Sequence, residues 1–328
     1  MISYKRLAHL LARYGASQIK RISYVLNIEV TNRCNAKCEH CICWQIEAAE
    51  ESSDYVDIVR KFRPCVIWLT GGEPLLRDDI ISLIKRIRET DPHLYLGMAT
   101  NGWLLSSELG RQLADAGLDQ VNISLDFIGN QHDDFRKIKG LYQHIETIVP
   151  ELKNIGLFVV LTCCIMNQNI DSLLPIARLA ETWDIEVGYS CYSQLKTGKK
   201  NNSVATNQIE QVRYIIKELC VWKKERGFIK SLFSYLRKIP EFCEKGTLGT
   251  CKATKTWLYI TPDGYLKICP DKPIYAHYTD YSGSAGIVCG DCWYTCRGEM
   301  ETPVMERFIC EVKNSRRKKS LKMATPYP

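Results

Sequence analysis

The stretch VLNIEVTNRCNAKCEHC, residues 25–41, starts with seven residues of strand character and runs into cysteines at 34, 38 and 41. Val25, Leu26, Ile28 and Val30 make an apolar run suited to a strand buried on both faces. The cysteines that follow belong to the loop at that strand's C-terminal end. In α/β folds this is the edge where functional side chains collect. A structural zinc site closes on four ligands, and a ferredoxin cubane also uses four cysteines. The spacing C-x3-C-x2-C offers three thiolates, which leaves one iron of a [4Fe–4S] cube open to another ligand. Cys43 follows two residues later, outside that spacing, and reads as a bystander. Trp44 reads either as a lid over the cluster or as an ordinary core aromatic.

Strand character recurs at 65–70, 94–100, 120–126, 157–164 and 186–192, with helical periodicity at 78–90, 108–117 and 172–183 between them. Buried strands alternating with helices predict a parallel sheet covered by helices. Six such units without a glycine-rich dinucleotide turn fit a (β/α)6 partial barrel or an open doubly wound sheet. Residues 206–227 read as one long helix within a connector spanning 201–242. From 243 to 310 the texture changes to seven cysteines among turn residues, which reads as a small appended module.

The 328 residues are 45% hydrophobic and 25% charged, ordinary values for a globular chain with a sizeable core. The net charge of +7 is concentrated at the two ends. Residues 1–24 carry Lys5, Arg6, Arg13, Lys20 and Arg21 without an acid, and residues 313–328 carry six further cations without one. The stretch between them is therefore mildly acidic, which argues against a nucleic-acid groove. Leu7, Leu10, Leu11 and Tyr14 at i, i+3, i+4, i+7 predict an amphipathic N-terminal helix, docked on its own domain or on a partner or membrane surface. The run 155–166 is too short to span a bilayer, and no export signal precedes the first motif. These readings place the chain in the cytoplasm, with peripheral membrane contact through the helix as an option. Sixteen cysteines in a reducing compartment point to metal or redox chemistry rather than to disulfides.

Further motifs follow in order: GGEP at 71–74, TNG at 100–102, SLD at 124–126 and HDDFRKIKG at 132–140. With the three-cysteine loop, this series resembles the radical S-adenosylmethionine (radical SAM) superfamily. The resemblance implies an α/β fold, a partial (β/α)6 TIM-like barrel over 25–200. It implies a [4Fe–4S] cluster on Cys34, Cys38 and Cys41, with SAM completing the open iron. Gly71, Gly72, Glu73 and Pro74 would cradle the SAM amino group, Asn101, Ser124 and Asp126 would contact the rest, and Arg136 would pair with its carboxylate. In similar proteins, reductive cleavage of SAM yields a 5′-deoxyadenosyl radical that takes hydrogen from an unactivated carbon. An electron donor such as flavodoxin or ferredoxin is implied as a partner.

The C-terminal pattern, Cys251-x12-Gly264-x4-Cys269 followed by Cys289, Cys292, Cys296 and Cys310, is similar to the cysteine-rich SPASM/twitch Fe–S modules of that superfamily. It departs from the full two-cluster pattern, because C-x2-C-x3-C stands where a longer series is expected. One auxiliary cluster on Cys251, Cys269 and some of Cys289, Cys292 and Cys296 is one reading. Two clusters, drawing in Cys243 and Cys310, is another, and a zinc knuckle a third. The resemblance implies a small polar or anionic, sugar-like or lipid-linked substrate, undergoing dehydrogenation, epimerisation or bond formation. A ribosomal-peptide maturase is the alternative, disfavoured by the short stretch before the first strand. A non-enzymatic Fe–S carrier or scaffold is the alternative of another class. Cys163, Cys164 and Cys191, at the ends of the fifth and sixth strands, are candidate hydrogen donors for a redox-neutral outcome.

Overall fold

A computed structural model describes residues 4–20, 23–283, 287–303 and 305–306. Six parallel strands, β1 (Val25–Thr31), β2 (Val66–Gly71), β3 (Tyr95–Thr100), β4 (Gln120–Ser124), β5 (Phe158–Ile165) and β6 (Glu186–Cys191), lie side by side in chain order. Each pairs in parallel with its predecessor. The progression never reverses, so the sheet has no switch point and is wound in one sense, as a partial barrel is, rather than doubly wound. The expected strands fall within two residues of the observed ones.

Helices cross between the strands and bury their apolar faces on the sheet. Ile80–Thr90, for example, buries Ile80, Leu83, Ile84 and Ile87, one stripe at helical spacing. All six strands end at the same edge, so their following loops form one mouth.

The chain continues through two helices, Ile209–Glu225 and Phe233–Lys245, then returns to the sheet on the other side of β1. Strand β7 (Trp257–Ile260) pairs with β1 in parallel, and β8 (Tyr265–Lys267) and β9 (Ile274–His277) follow antiparallel. The C-terminal hairpin thus extends the barrel sheet, and β1 lies between β2 and β7. This central position explains the apolar run that opens the sequence. Glu29 is the one residue of β1 that is not fully buried, and its carboxylate meets Lys267 of β8 at 3.2 Å.

The helix Tyr4–Lys20 docks at the opposite edge. Arg6 donates to both carboxylate oxygens of Asp119, just before β4, and Arg13 pairs with Asp91, before β3. Leu10 and Tyr14 pack beside Tyr24, Val25 and Trp257. Leu11 and Ile19 remain exposed. Two of the cations that suggested an outward-facing basic surface are therefore used to hold the helix on its own barrel. No helix among the described residues is long and apolar enough to cross a membrane. The basic tail at 313–328 lies outside the described residues.

Candidate active site

The cysteine loop is held at the mouth from three sides. Gly72 N donates to Thr31 O and Glu73 N to Arg33 O, each at 2.8 Å, so the GG turn after β2 lies flat against the start of the loop. Gly71 has φ +119°, and a Cβ there would meet Thr31 O at 2.2 Å. At Gly72 a Cβ would stand 2.1 Å from Arg33 O and 2.8 Å from Asn32 O, both immovable backbone atoms. The two glycines are needed because backbone packs on backbone. Gly72→Ala is expected to destabilise the fold by about 2–3 kcal/mol and to displace Cys34. Lower thermal midpoint and reduced iron uptake on reconstitution check this.

Glu73 is buried and accepts hydrogen bonds from Thr100 Oγ1 (2.6 Å), Asn101 N (2.7 Å) and Leu75 N (3.2 Å). Burial pushes its carboxyl upward, with those donors pulling the other way. Its carboxylate therefore ties the end of β2 to the end of β3. Asn101 in turn donates from Nδ2 to Asn35 Oδ1 at 2.7 Å, between Cys34 and Cys38. Pro74 starts the short turn Pro74–Leu76 and is buried.

Asp126 and Arg136 form a buried pair, with Arg136 Nη2 and Nε donating to Asp126 Oδ2 at 2.5 and 3.1 Å. Asp126 Oδ1 also accepts from Cys164 N at 2.9 Å. Arg136 thus spends Nε and Nη2 on its own chain. The pair lies against the cysteine loop, since Lys37 N donates to Arg136 O at 3.1 Å. Ser124, the last residue of β4, is half-buried nearby. Two buried ring nitrogens beside the pair, His40 Nδ1 and His132 Nε2, have no hydrogen-bond partner among the described residues.

Cys38 is buried and Cys34 and Cys41 are half-buried. Burial pushes the Cys34 thiol up and Cys38 to about 11. Cys41 is instead held well down, because the Cys43 thiol hydrogen-bonds its sulfur, and Cys43 N donates to the same atom at 3.5 Å. Cys43 is thus a neighbour that steadies Cys41, a role its position outside the spacing did not show. Trp44 stays partly exposed, its Nε1 donating to Cys41 O at 3.0 Å.

The C-terminal cysteines make a second nest. Cys251, Cys269, Cys289, Cys292 and Cys296 all line one cavity of about 170 Å³. Burial raises Cys269 to about 11 and Cys292 to about 12. The loops bearing them are pinned by Arg297, fully buried, which donates to the carbonyls of Leu248, Gly249, Gly290 and Cys292. Nothing in the spacing singled out Arg297, because its partners lie up to 49 residues away. Cys243 is not part of this nest, and Cys310 lies outside the described residues.

Cys243 and Cys191 lie together in the wall of a larger cavity of about 570 Å³. This cavity sits beyond the ends of β5 and β6, with Ile165, Tyr192, Leu195, Val204 and Phe242 as its apolar wall. Asp291 is the one charged residue among its lining groups. Of the other two cysteines nominated from sequence, Cys163 is buried in the core, while Cys164 packs with Phe127, Phe135, Met166 and Tyr192.

The 15 described cysteines are all free. Among the described residues no three His, Cys, Asp or Glu side chains close on a point the size of one ion. The donors surround larger spaces instead. Soft thiolate sets of three and five, with buried sulfurs whose protons a metal must displace, fit iron–sulfur bodies.

A family model described as the radical SAM superfamily matches residues 28–180. The chain is 32% identical over 167 residues to the pre-heme d1 synthase of Dinoroseobacter shibae, covering 49% of this chain and 41% of that protein. It is 29% identical over 275 residues to the GTP 3′,8-cyclase of Peptoclostridium acidaminophilum, covering 79% and 82%. In fold it is similar to SuiB of Streptococcus suis, solved bound to S-adenosylmethionine, with TM-score 0.63 at 15% identity, over 81% of this chain and 67% of that one.

Proposed function

We propose that the chain is a radical SAM enzyme, its matched domain running over residues 28–180, and that it acts on a small polar substrate in the 570 Å³ cavity beyond the ends of β5 and β6. Cys34, Cys38 and Cys41 hold the [4Fe–4S] cluster that binds SAM. Cys251, Cys269 and two of Cys289, Cys292 and Cys296 would hold one auxiliary cluster. When bound, these cofactors supply reductive SAM cleavage and a 5′-deoxyadenosyl radical, with electrons from a carrier of flavodoxin or ferredoxin type.

The residues of the chain bind, orient and exclude water. The Gly71–Gly72 turn brings peptide groups of β2 to the cofactor side of the loop. Glu73, Asn101 and Asn35 lock the ends of β2 and β3 to that loop, so the cofactor meets a preorganised surface. The Asp126–Arg136 pair places a charge pair beside Cys38 and Cys41. Cys191 lines the substrate cavity and is the favoured hydrogen donor, with Cys164 behind it and Cys163 turned into the core.

One observation carries the reading: a cavity of substrate size lies beyond the ends of β5 and β6 and shares Leu195 with the wall of the five-cysteine cavity. Its wall offers a carboxylate and no cation among the lining residues, which favours a neutral or amine-bearing substrate over an anionic one. The net outcome, dehydrogenation, epimerisation or bond formation, follows from whether Cys191 returns a hydrogen.

Anaerobic reconstitution with SAM and dithionite tests the enzyme reading, since intact clusters that give no 5′-deoxyadenosine would end it. Deuterium transfer from labelled candidates into 5′-deoxyadenosine then identifies the substrate. For the donor role, Cys191→Ala should cut deuterium uptake from D2O into product by about tenfold or more, while 5′-deoxyadenosine still forms. Undiminished uptake would remove Cys191 from the mechanism.

A further inference from the structure

The exposed side of the cysteine loop is strongly basic, a feature that lies outside every motif. Lys37 and Glu39, on either side of the buried Cys38, both face solvent. Two other segments meet the loop at Glu39. From one side Lys137, just past the helix Asn130–Arg136, sets its Nζ 3.6 Å from Glu39 Oε1. From the other, Asn202 Nδ2 donates to Glu39 O at 3.4 Å. Asn202 is buried and its segment is braced on the barrel, since Tyr192 Oη donates to Lys199 O at 2.8 Å and Asn167 N to Asn202 O at 3.2 Å. The stretches 34–41, 137–140 and 199–203 thus come together with five lysines, Lys37, Lys137, Lys139, Lys199 and Lys200, against one acid, Glu39. All five are exposed, and all but Lys137 are without an ion pair among the described residues.

Exposed lysines add little to stability, so the fold does not account for this grouping. The chain between its two basic ends is net acidic, and the patch is a local exception. An acidic protein is repelled by the rest of that surface and attracted here, which steers its encounters to one place. None of the five lysines lines the 570 Å³ cavity or the five-cysteine cavity, so they are not placed to hold a substrate. The same loop leaves Trp44 and Ile46 exposed, at 38% and 46%, with Trp44 Nε1 donating to Cys41 O at 3.0 Å. Apolar surface of this kind beside a charged rim is buried by a protein partner and not by a small anion. What a cluster on this loop needs from a partner is an electron, and the exposed side is where the loop meets solvent.

We infer that Lys37, Lys137, Lys139, Lys199 and Lys200 form the docking surface for an acidic one-electron carrier protein of flavodoxin type. One electron leaves the carrier's reduced flavin, which is oxidised, and enters the cluster on Cys34, Cys38 and Cys41, which is reduced. The inference rests on the cluster assignment under Proposed function, and its test separates the two.

The full-length protein is loaded anaerobically with iron and sulfide, without SAM, and mixed rapidly with a flavodoxin in its fully reduced form. Bleaching of the cluster absorbance gives the second-order rate. The first cluster's share is the part missing from the Cys34→Ala, Cys38→Ala, Cys41→Ala triple variant. One lysine is reversed in each segment, as Lys37→Glu, Lys139→Glu, Lys200→Glu. That variant should be reduced about tenfold or more slowly at low ionic strength and should lose most of the parent's salt dependence. A control with the same change in net charge, Lys85→Glu, Lys217→Glu, Lys224→Glu on exposed helix positions, should stay close to the parent. Photoreduced deazaflavin, a small uncharged donor that needs no docking, should reduce parent and both variants alike. An unchanged flavodoxin rate in the patch variant would overturn the inference, as would an equal loss in the control or a parent that flavodoxin does not reduce. A parallel loss with deazaflavin would also overturn it, because the lysines would then act on the cluster and not on docking. If the triple cysteine variant bleaches as fully as the parent, the cluster assignment itself is what has failed.

Discussion

Replacing Cys34, Cys38 and Cys41 together by alanine is expected to abolish 5′-deoxyadenosine formation while leaving about four irons per chain, the content of one [4Fe–4S] cluster. The loss should be complete, because no described cysteine outside the loop is placed to substitute. Cys43 is bound up with Cys41, two positions before it, so it cannot complete a triad alone. The iron that remains belongs to the second nest. Its five cysteines surround one cavity, and its loops are pinned by Arg297 and by Cys251 N donating to Cys289 O at 2.8 Å. None of those contacts involves the first loop, so the nest should load without it. Iron and acid-labile sulfide analysis, with an assay for 5′-deoxyadenosine, reads both halves. About eight irons would mean two auxiliary clusters, against a structure that sets Cys243 beside Cys191. Near-zero iron would mean that the two nests load only together.

Much of the fold could be read from the chain because its strands are buried on both faces, so each is a local apolar run bounded by turn residues. Strand β1 appears in the sequence with the limits it has in the sheet. The three-cysteine loop was legible for a related reason, since its ligands lie within eight positions. What escaped were features made by distant residues. The pairing of β7 with β1 joins positions more than 230 apart, so the hairpin looked like an appended module when it is an extension of the same sheet. The pairing of Arg136 Nε and Nη2 with Asp126 was also out of reach. Ten residues separate them, and only the turn from β4 into the helix Asn130–Arg136 brings them together. Asn169 is a similar case: its buried amide donates to Asp126 O at 3.0 Å and Cys164 O at 2.8 Å, linking β4 and β5 from an unremarkable MNQN stretch.

The Asp126–Arg136 pair should produce the largest loss of stability from a single side chain in the site. Asp126→Ala removes the carboxylate and leaves the Arg136 guanidinium buried without a counter-charge, and Cys164 N without its acceptor. Removing one partner of a buried ion pair costs about 3–5 kcal/mol. Replacing both partners with apolar groups of similar size costs far less, since no charge is stranded. The double variant Asp126→Leu, Arg136→Met should therefore be more stable than Asp126→Ala, despite carrying two changes. Burial pushes the Asp126 carboxyl upward, but the Arg136 guanidinium, the His40 and His132 rings and the Cys164 N–H together outweigh it, and the group sits below the usual carboxylate range. Its contribution is accordingly present above the unfolded-state value near about 4 and is lost as pH falls through the lower folded value. The effect reaches function because Arg136 O holds Lys37 N, between Cys34 and Cys38. A loosened Arg136 frees that segment, so iron uptake by the first nest should fall in Asp126→Ala before uptake by the second does. Denaturant midpoints and iron content for the two single variants and the double variant decide it. If Asp126→Ala proves as stable as the double variant, the pair is not the strut between the fourth strand and the cysteine loop that its geometry makes it.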